Sequence, residues 1–151
     1  MTRSRLALLC GLLTVIACNE TPVADNPVPP QVQIVEPDDA DEIPLFVAGE
    51  TISFVAYTTD DEDAEADLGS RWTTSWTDSE GMQHDEELGT AQVSEDGRIG
   101  FATAQLGVAV HTVQVEVTDS DGLSGYSTVK VQVKGYDEPP TVQITAPADA
   151  A

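Results

Sequence analysis

Positive charge is scarce in this chain. Six Lys and Arg stand against 27 Asp and Glu in 151 residues, a net charge of −21. A surface this acidic repels phosphate backbones and anionic headgroups, which argues against nucleic acid as a partner. Cysteine is nearly absent too. Cys10 and Cys18 both fall in the first 18 residues, so the remainder has no thiol for a disulfide, a thiolate metal site or a nucleophile. The two histidines, His84 and His111, lie 27 positions apart and make no zinc spacing. No Gly-x-Ser-x-Gly elbow, phosphate-binding glycine loop or basic patch interleaved with aromatics is present. With so many acids, a carboxylate pair at glycosidase spacing carries no weight on its own. The chain is therefore read as a non-enzyme with no required cofactor. A 3.6-residue apolar period is missing as well, which points away from helices.

What the chain does have is period-two alternation. It is clearest in 108–133, where Val113, Val115 and Val117 fall on one face of a first run and Val129, Val131 and Val133 on one face of a second. Asp119, Ser120, Asp121 and Gly122 between them supply turn chemistry, so the stretch reads as a β-hairpin. A hairpin needs a second layer to cover its valines. Further strands are expected at Gln31 to Val35, Glu50 to Tyr57 and Arg71 to Thr77, with weaker ones near Leu88 to Val93 and at Arg98 to Thr103. Asp78 to Gly81 and Ser94 to Gly97 read as turns, the latter closing a hairpin, and Gln83 to Glu87 as an exposed loop. Trp72, Thr74 and Trp76 share a face, with one tryptophan expected in the centre of the core. His111 has the parity of Val113 and Val115, as expected of a partly buried, hydrogen-bonded histidine at a strand corner. About seven short strands separated by turn signals specify an all-β, immunoglobulin-like Greek-key sandwich over 31–134.

The first 17 residues belong to no fold. Arg3 and Arg5 precede an apolar run, Leu6 to Ile16, too short for a permanent membrane span, the layout of a signal peptide. Val15, Ile16, Ala17 and Cys18 resemble the bacterial lipobox. That resemblance implies cleavage before Cys18, acylation of Cys18 and anchoring in a bacterial envelope membrane. Asn19 in place of an aspartate is similar to lipoproteins sent to the outer membrane. A chain beginning at Cys18 loses Arg3 and Arg5 and carries −23. Residues 18–30 follow as a tether, with Pro22, Pro27, Pro29 and Pro30; extended at ~3.1 Å per residue, such a segment spans roughly 35 to 40 Å.

Several stretches together resemble the PKD-type and cadherin-like immunoglobulin repeats of bacterial surface proteins: PPQVQIVEP, TTDDEDAEADL before a tryptophan strand, SWTDSEG, and above all VHTVQVEVTDSDGLSGYSTVKVQV. The PKD signature Trp-Asp-Phe-Gly-Asp-Gly is approximated by residues 76–81, WTDSEG. The resemblance covers 30–133 and implies an extracellular spacer, adhesion or recognition module, with a cell-surface protein or glycan as partner and no catalysis. Residues 29–40 also match 139–150 at eight of twelve positions, a period of 110. By this reading 135–151 are a linker and the truncated first strand of a second repeat, expected to be mobile in an isolated monomer.

The acids suggest one further chemistry. Calcium takes six to eight oxygen ligands from flexible acidic loops. Asp60, Asp61 and Asp63 fall in one expected loop and Asp119 and Asp121 in another, and in a sandwich these two loops share an end. They are candidate ligands of a calcium-dependent, carbohydrate-directed alternative, whose other mark would be an exposed aromatic platform drawn from Trp72, Trp76, Tyr57, Tyr126 and Tyr136. An EF-hand is excluded by the absence of the closing glutamate. The competing reading of the same residues is a solvated surface whose aspartates serve turns.

Overall fold

The computed structural model describes residues 27–137. The expected signal peptide, Cys18, most of the tether and the truncated repeat after Asp137 lie outside these residues. Eight strands form: β1 (Gln31–Glu36), β2 (Leu45–Val47), β3 (Ile52–Thr59), β4 (Gly69–Thr77), β5 (Gln83–Gln92), β6 (Arg98–Thr103), β7 (Ala109–Thr118) and β8 (Ser124–Lys134). One 3-10 turn, Glu65–Asp67, interrupts the loop before β4. A three-stranded sheet in the order β1-β3-β6 faces a five-stranded sheet in the order β2-β8-β7-β4-β5. This is the immunoglobulin-like sandwich.

The β7–β8 hairpin forms in register, with Val113 opposite Val129 and His111 opposite Val131. All six expected valines are buried at 3% exposure or less, because alternation sends every second side chain into the layer between the sheets. Trp72 is the tryptophan at the centre. It is fully buried, stacks on Phe101 at 5.3 Å between ring centroids and tilts against Phe54 at 5.7 Å. Its indole N–H has no hydrogen-bond partner among the described residues.

Three features differ from the sequence reading. Residues 83–87 are no loop; they are the first half of β5, paired with β4 from Glu87 opposite Thr73 to Gln83 opposite Thr77. As an edge strand with water on much of both faces, β5 lacks the apolar alternation that marks a half-buried strand. Its register shifts at Leu88, which no β4 residue faces, and Gly89 accommodates the shift with φ of 139°. The turn at Ser94–Gly97 does not close a hairpin within one sheet. It carries the chain from the five-stranded to the three-stranded sheet, with a single bridge between Val93 and Ile99. Finally, β2 adds an eighth strand too short to produce a period. It lies parallel to β8, Leu45 beside Gln132, so the first segment of the chain pairs with one sheet through β1 and with the other through β2.

Chain entry and exit fall at opposite ends. The Pro30 carbonyl packs on Gly125 at the start of β8, whereas Ala48 N–H bonds the Lys134 carbonyl at its finish, 2.9 Å away. The 11 residues of β8 separate the two, about 36 Å at ~3.3 Å per residue.

Candidate functional site

Three loops gather at the entry end and carry much of the acidic charge. In the β3–β4 loop, Asp60 closes a turn on itself: its Oδ1 accepts the Glu62 and Asp63 amides at 2.9 and 2.7 Å. Asp63 then reaches the β7–β8 turn, where its carboxylate accepts the Ser120 amide at 2.8 Å and the Ser120 hydroxyl at 3.0 Å. These two bonds, the amide first, hold the Asp63 carboxyl below the usual aspartate range. The third loop docks through Gly97, whose carbonyl accepts the Thr58 amide at 2.9 Å. Glu62 is pushed the other way. Partial desolvation raises its carboxyl above the ordinary value; a bond from the Val28 backbone opposes this, and the neighbouring charges of Asp60, Asp61 and Asp119 add to it.

The five calcium candidates are thus brought to one end, and each has a definite place there. Asp119 accepts the Leu123 amide at 2.8 Å within its own turn. Asp61 and Asp121 are exposed. The Oδ2 atom of Asp60 is buried without a hydrogen-bond partner among the described residues. The contact that joins the loops is carboxylate to serine rather than carboxylate to carboxylate. Among the described residues, no three His, Cys, Asp or Glu side chains form a group able to hold a metal ion.

At the exit end, both histidines pack on Trp76. The His84 ring stacks on it at 5.1 Å and the His111 ring tilts against it at 5.2 Å. His84 Nε2 donates to Asp78 Oδ2 at 2.7 Å. That bond, followed by the Met82 and Glu80 amides on Asp78 Oδ1, lowers the Asp78 carboxyl and ties the β4–β5 turn. His111 is buried, as its parity suggested. A carbonyl only accepts, so Nε2 donates to Gly107 O at 2.9 Å, and in the neutral ring Nδ1 accepts the Thr74 hydroxyl at 3.1 Å. Each ring nitrogen therefore has a partner. This is a packing role.

The aromatic candidates separate by burial. Trp72 is sealed in the core and Trp76 is flanked by imidazoles, while Tyr57, Tyr126 and Tyr136 are exposed. Tyr126 donates to Glu116 Oε1 at 3.0 Å, and Arg71 Nε donates to Glu116 Oε2 at 3.0 Å. The Arg71 bonds, then the tyrosine's, lower the Glu116 carboxyl. The sequence reading missed this cluster. Its signal was available only through register, which sets Arg71 opposite Glu116 and Glu116 opposite Tyr126. A shallow groove of about 380 Å³ beside it, lined by Thr73, Ser75, Asp85, Glu87, Thr112 and Gln114, is polar throughout.

No protein-family model matches the chain, and a search of curated proteins finds no match.

Proposed function

We propose that this protein is a lipid-anchored spacer or recognition module on the outside of a bacterial envelope membrane. The observation that supports it best is the placement of entry and exit at opposite ends of the sandwich. A module threaded in line adds its whole length to the distance between an anchor before it and whatever follows it. The sequence supplies the two sides of that line: the lipobox-like Val15 to Cys18 with its proline-bearing tether ahead, and the matching segment 139–150 behind. Two or three acyl chains on Cys18 would retain the module stably, at ~0.8 kcal/mol per buried methylene, whereas one chain gives reversible binding. The acidic surface keeps neighbouring copies apart and contributes no membrane affinity of its own.

The test is metabolic labelling with a fatty acid in a bacterial host, followed by membrane fractionation. Cys18→Ser should abolish label and leave the signal segment uncleaved, so that the protein stays membrane-bound at its full length, and Cys10→Ser should do neither. Label that persists in the Cys18 variant would overturn the assignment.

A further inference from the structure

Carboxylates are distributed unevenly over the sandwich. Residues 27–137 contain 23 Asp and Glu, yet the three strands of the smaller sheet carry one, Glu36, at the far end of β1. The outward side of that sheet is therefore a nearly uncharged island on a strongly acidic body. Register places Gln33, Tyr57 and Arg98 in a single row across its three strands, with Gln31 opposite Thr59 beside them. Tyr57 is 44% exposed at the centre of the row. A groove of about 300 Å³ lined by Gln31, Gln33, Tyr57 and Thr59 lies over the β1–β3 part of the row, with Arg98 beyond it on β6, at the small end of ligand sites, which run from ~300 to ~1,000 Å³. Arg98 lies down along β6: a methyl group on Gly100 would meet its Nη1 at 3.2 Å. Among the described residues its guanidinium is in no ion pair, although carboxylates outnumber cations several-fold.

We infer that this face binds a neutral polysaccharide chain laid across the strands along the Gln33–Tyr57–Arg98 row. Size selects against a protein partner. Three strands ~4.8 Å apart and six residues long at ~3.3 Å offer about 300 Å², whereas a standard protein interface needs about 800 Å² on each side. A wider partner would also overlap the acidic loops around the island. Charge selects against an acidic polymer, which the surrounding field repels and a single arginine cannot offset. A sugar chain suits what remains. The tyrosine ring offers an apolar platform for the C–H face of a pyranose. The Gln31 and Gln33 amides give donors and acceptors, and the guanidinium gives donors, to its hydroxyls. The inference does not depend on Cys18 being lipidated.

The test uses the full chain in detergent micelles, labelled with 15N. It is titrated with soluble glucan, mannan, galactan and dextran oligosaccharides, and separately with oligogalacturonate as the anionic comparison. At least one neutral glycan should give saturable amide shifts confined to β1, β3 and β6. Tyr57→Ala should weaken it at least tenfold and Gln33→Ala or Arg98→Ala severalfold, with Tyr126→Ala unchanged. All four side chains are exposed, so an unaltered amide spectrum elsewhere confirms folding. The inference fails if no neutral glycan of the panel gives saturable shifts, if binding survives Tyr57→Ala, or if oligogalacturonate binds more tightly than every neutral glycan.

Discussion

The carboxylate of Asp63 accepts both the amide and the hydroxyl of Ser120, joining two loops 57 positions apart in the chain. This bond pair ties the β7–β8 turn to the β3–β4 loop. Asp63→Ala should therefore raise hydrogen exchange in residues 119–123 by about an order of magnitude while leaving the core valines protected. Unchanged exchange would show that the turn is held by its own Asp119 bonds alone.

The lowered carboxyls set the sign of the acid response. Asp63, Asp78, Asp96 and Glu116 are all held below their ordinary values, by Ser120, His84, Ser94 and Arg71 respectively as the leading cause. A group depressed on folding contributes stability that is complete above its unfolded value, about 3.9 for Asp and 4.3 for Glu, and is lost as pH falls through the folded value. Melting scans should show the midpoint falling as pH drops below about 4. Asp63→Asn should reduce that fall, since an amide cannot titrate.

Calcium gives a separate check on the entry end. Because the candidate aspartates are engaged with backbone and serine or stand apart in solvent, saturating calcium should raise the melting midpoint no more than magnesium at equal concentration. Both ions then act by screening carboxylate repulsion alone. A specific site would instead give a calcium-selective rise that grows with concentration and disappears with chelator.

Two glycines are predicted to be intolerant of a side chain for different reasons. A methyl group at Gly125 would come within 1.9 Å of the Pro30 carbonyl, forcing β8 away from the start of β1. At Gly97 it would meet the Thr58 carbonyl at 2.2 Å, with the backbone at φ of 75°. Each alanine variant should lose about 1 to 3 kcal/mol in denaturant unfolding. Gly107→Ala, with open space and no positive φ, serves as the control and should change little.

His111 offers a test of buried polar satisfaction. His111→Leu leaves the Gly107 carbonyl and the Thr74 hydroxyl without the ring's bonds, and should cost about 1 to 3 kcal/mol. Replacing Thr74 by Val at the same time should recover part of that loss, because the hydroxyl is removed along with its partner. His84→Ala, at a half-exposed pair, should cost less than about 1 kcal/mol. Equal losses for the two histidines would contradict this account.

The sequence by itself determined the core and the class of fold. Val113, Val115, Val117, Val129, Val131, Val133 and His111 were placed inward by parity alone, since alternation on a half-buried strand is a local property that needs no knowledge of partners. Parity gave Trp72 and Trp76 one shared face, and the packing chose Trp72 for the centre. Turn residues marked the boundaries for the same reason. Only the tertiary structure decided which strands are neighbours. The first half of edge strand β5 and the short β2 left no periodic trace, because their environment, not their composition, makes them strands. The meeting of Asp63 with Ser120, the Arg71–Glu116–Tyr126 cluster and the Gln33–Tyr57–Arg98 row all depend on pairing between distant segments. Register is a global property, fixed when two sheets bury their apolar faces together, and surface chemistry is assembled only then.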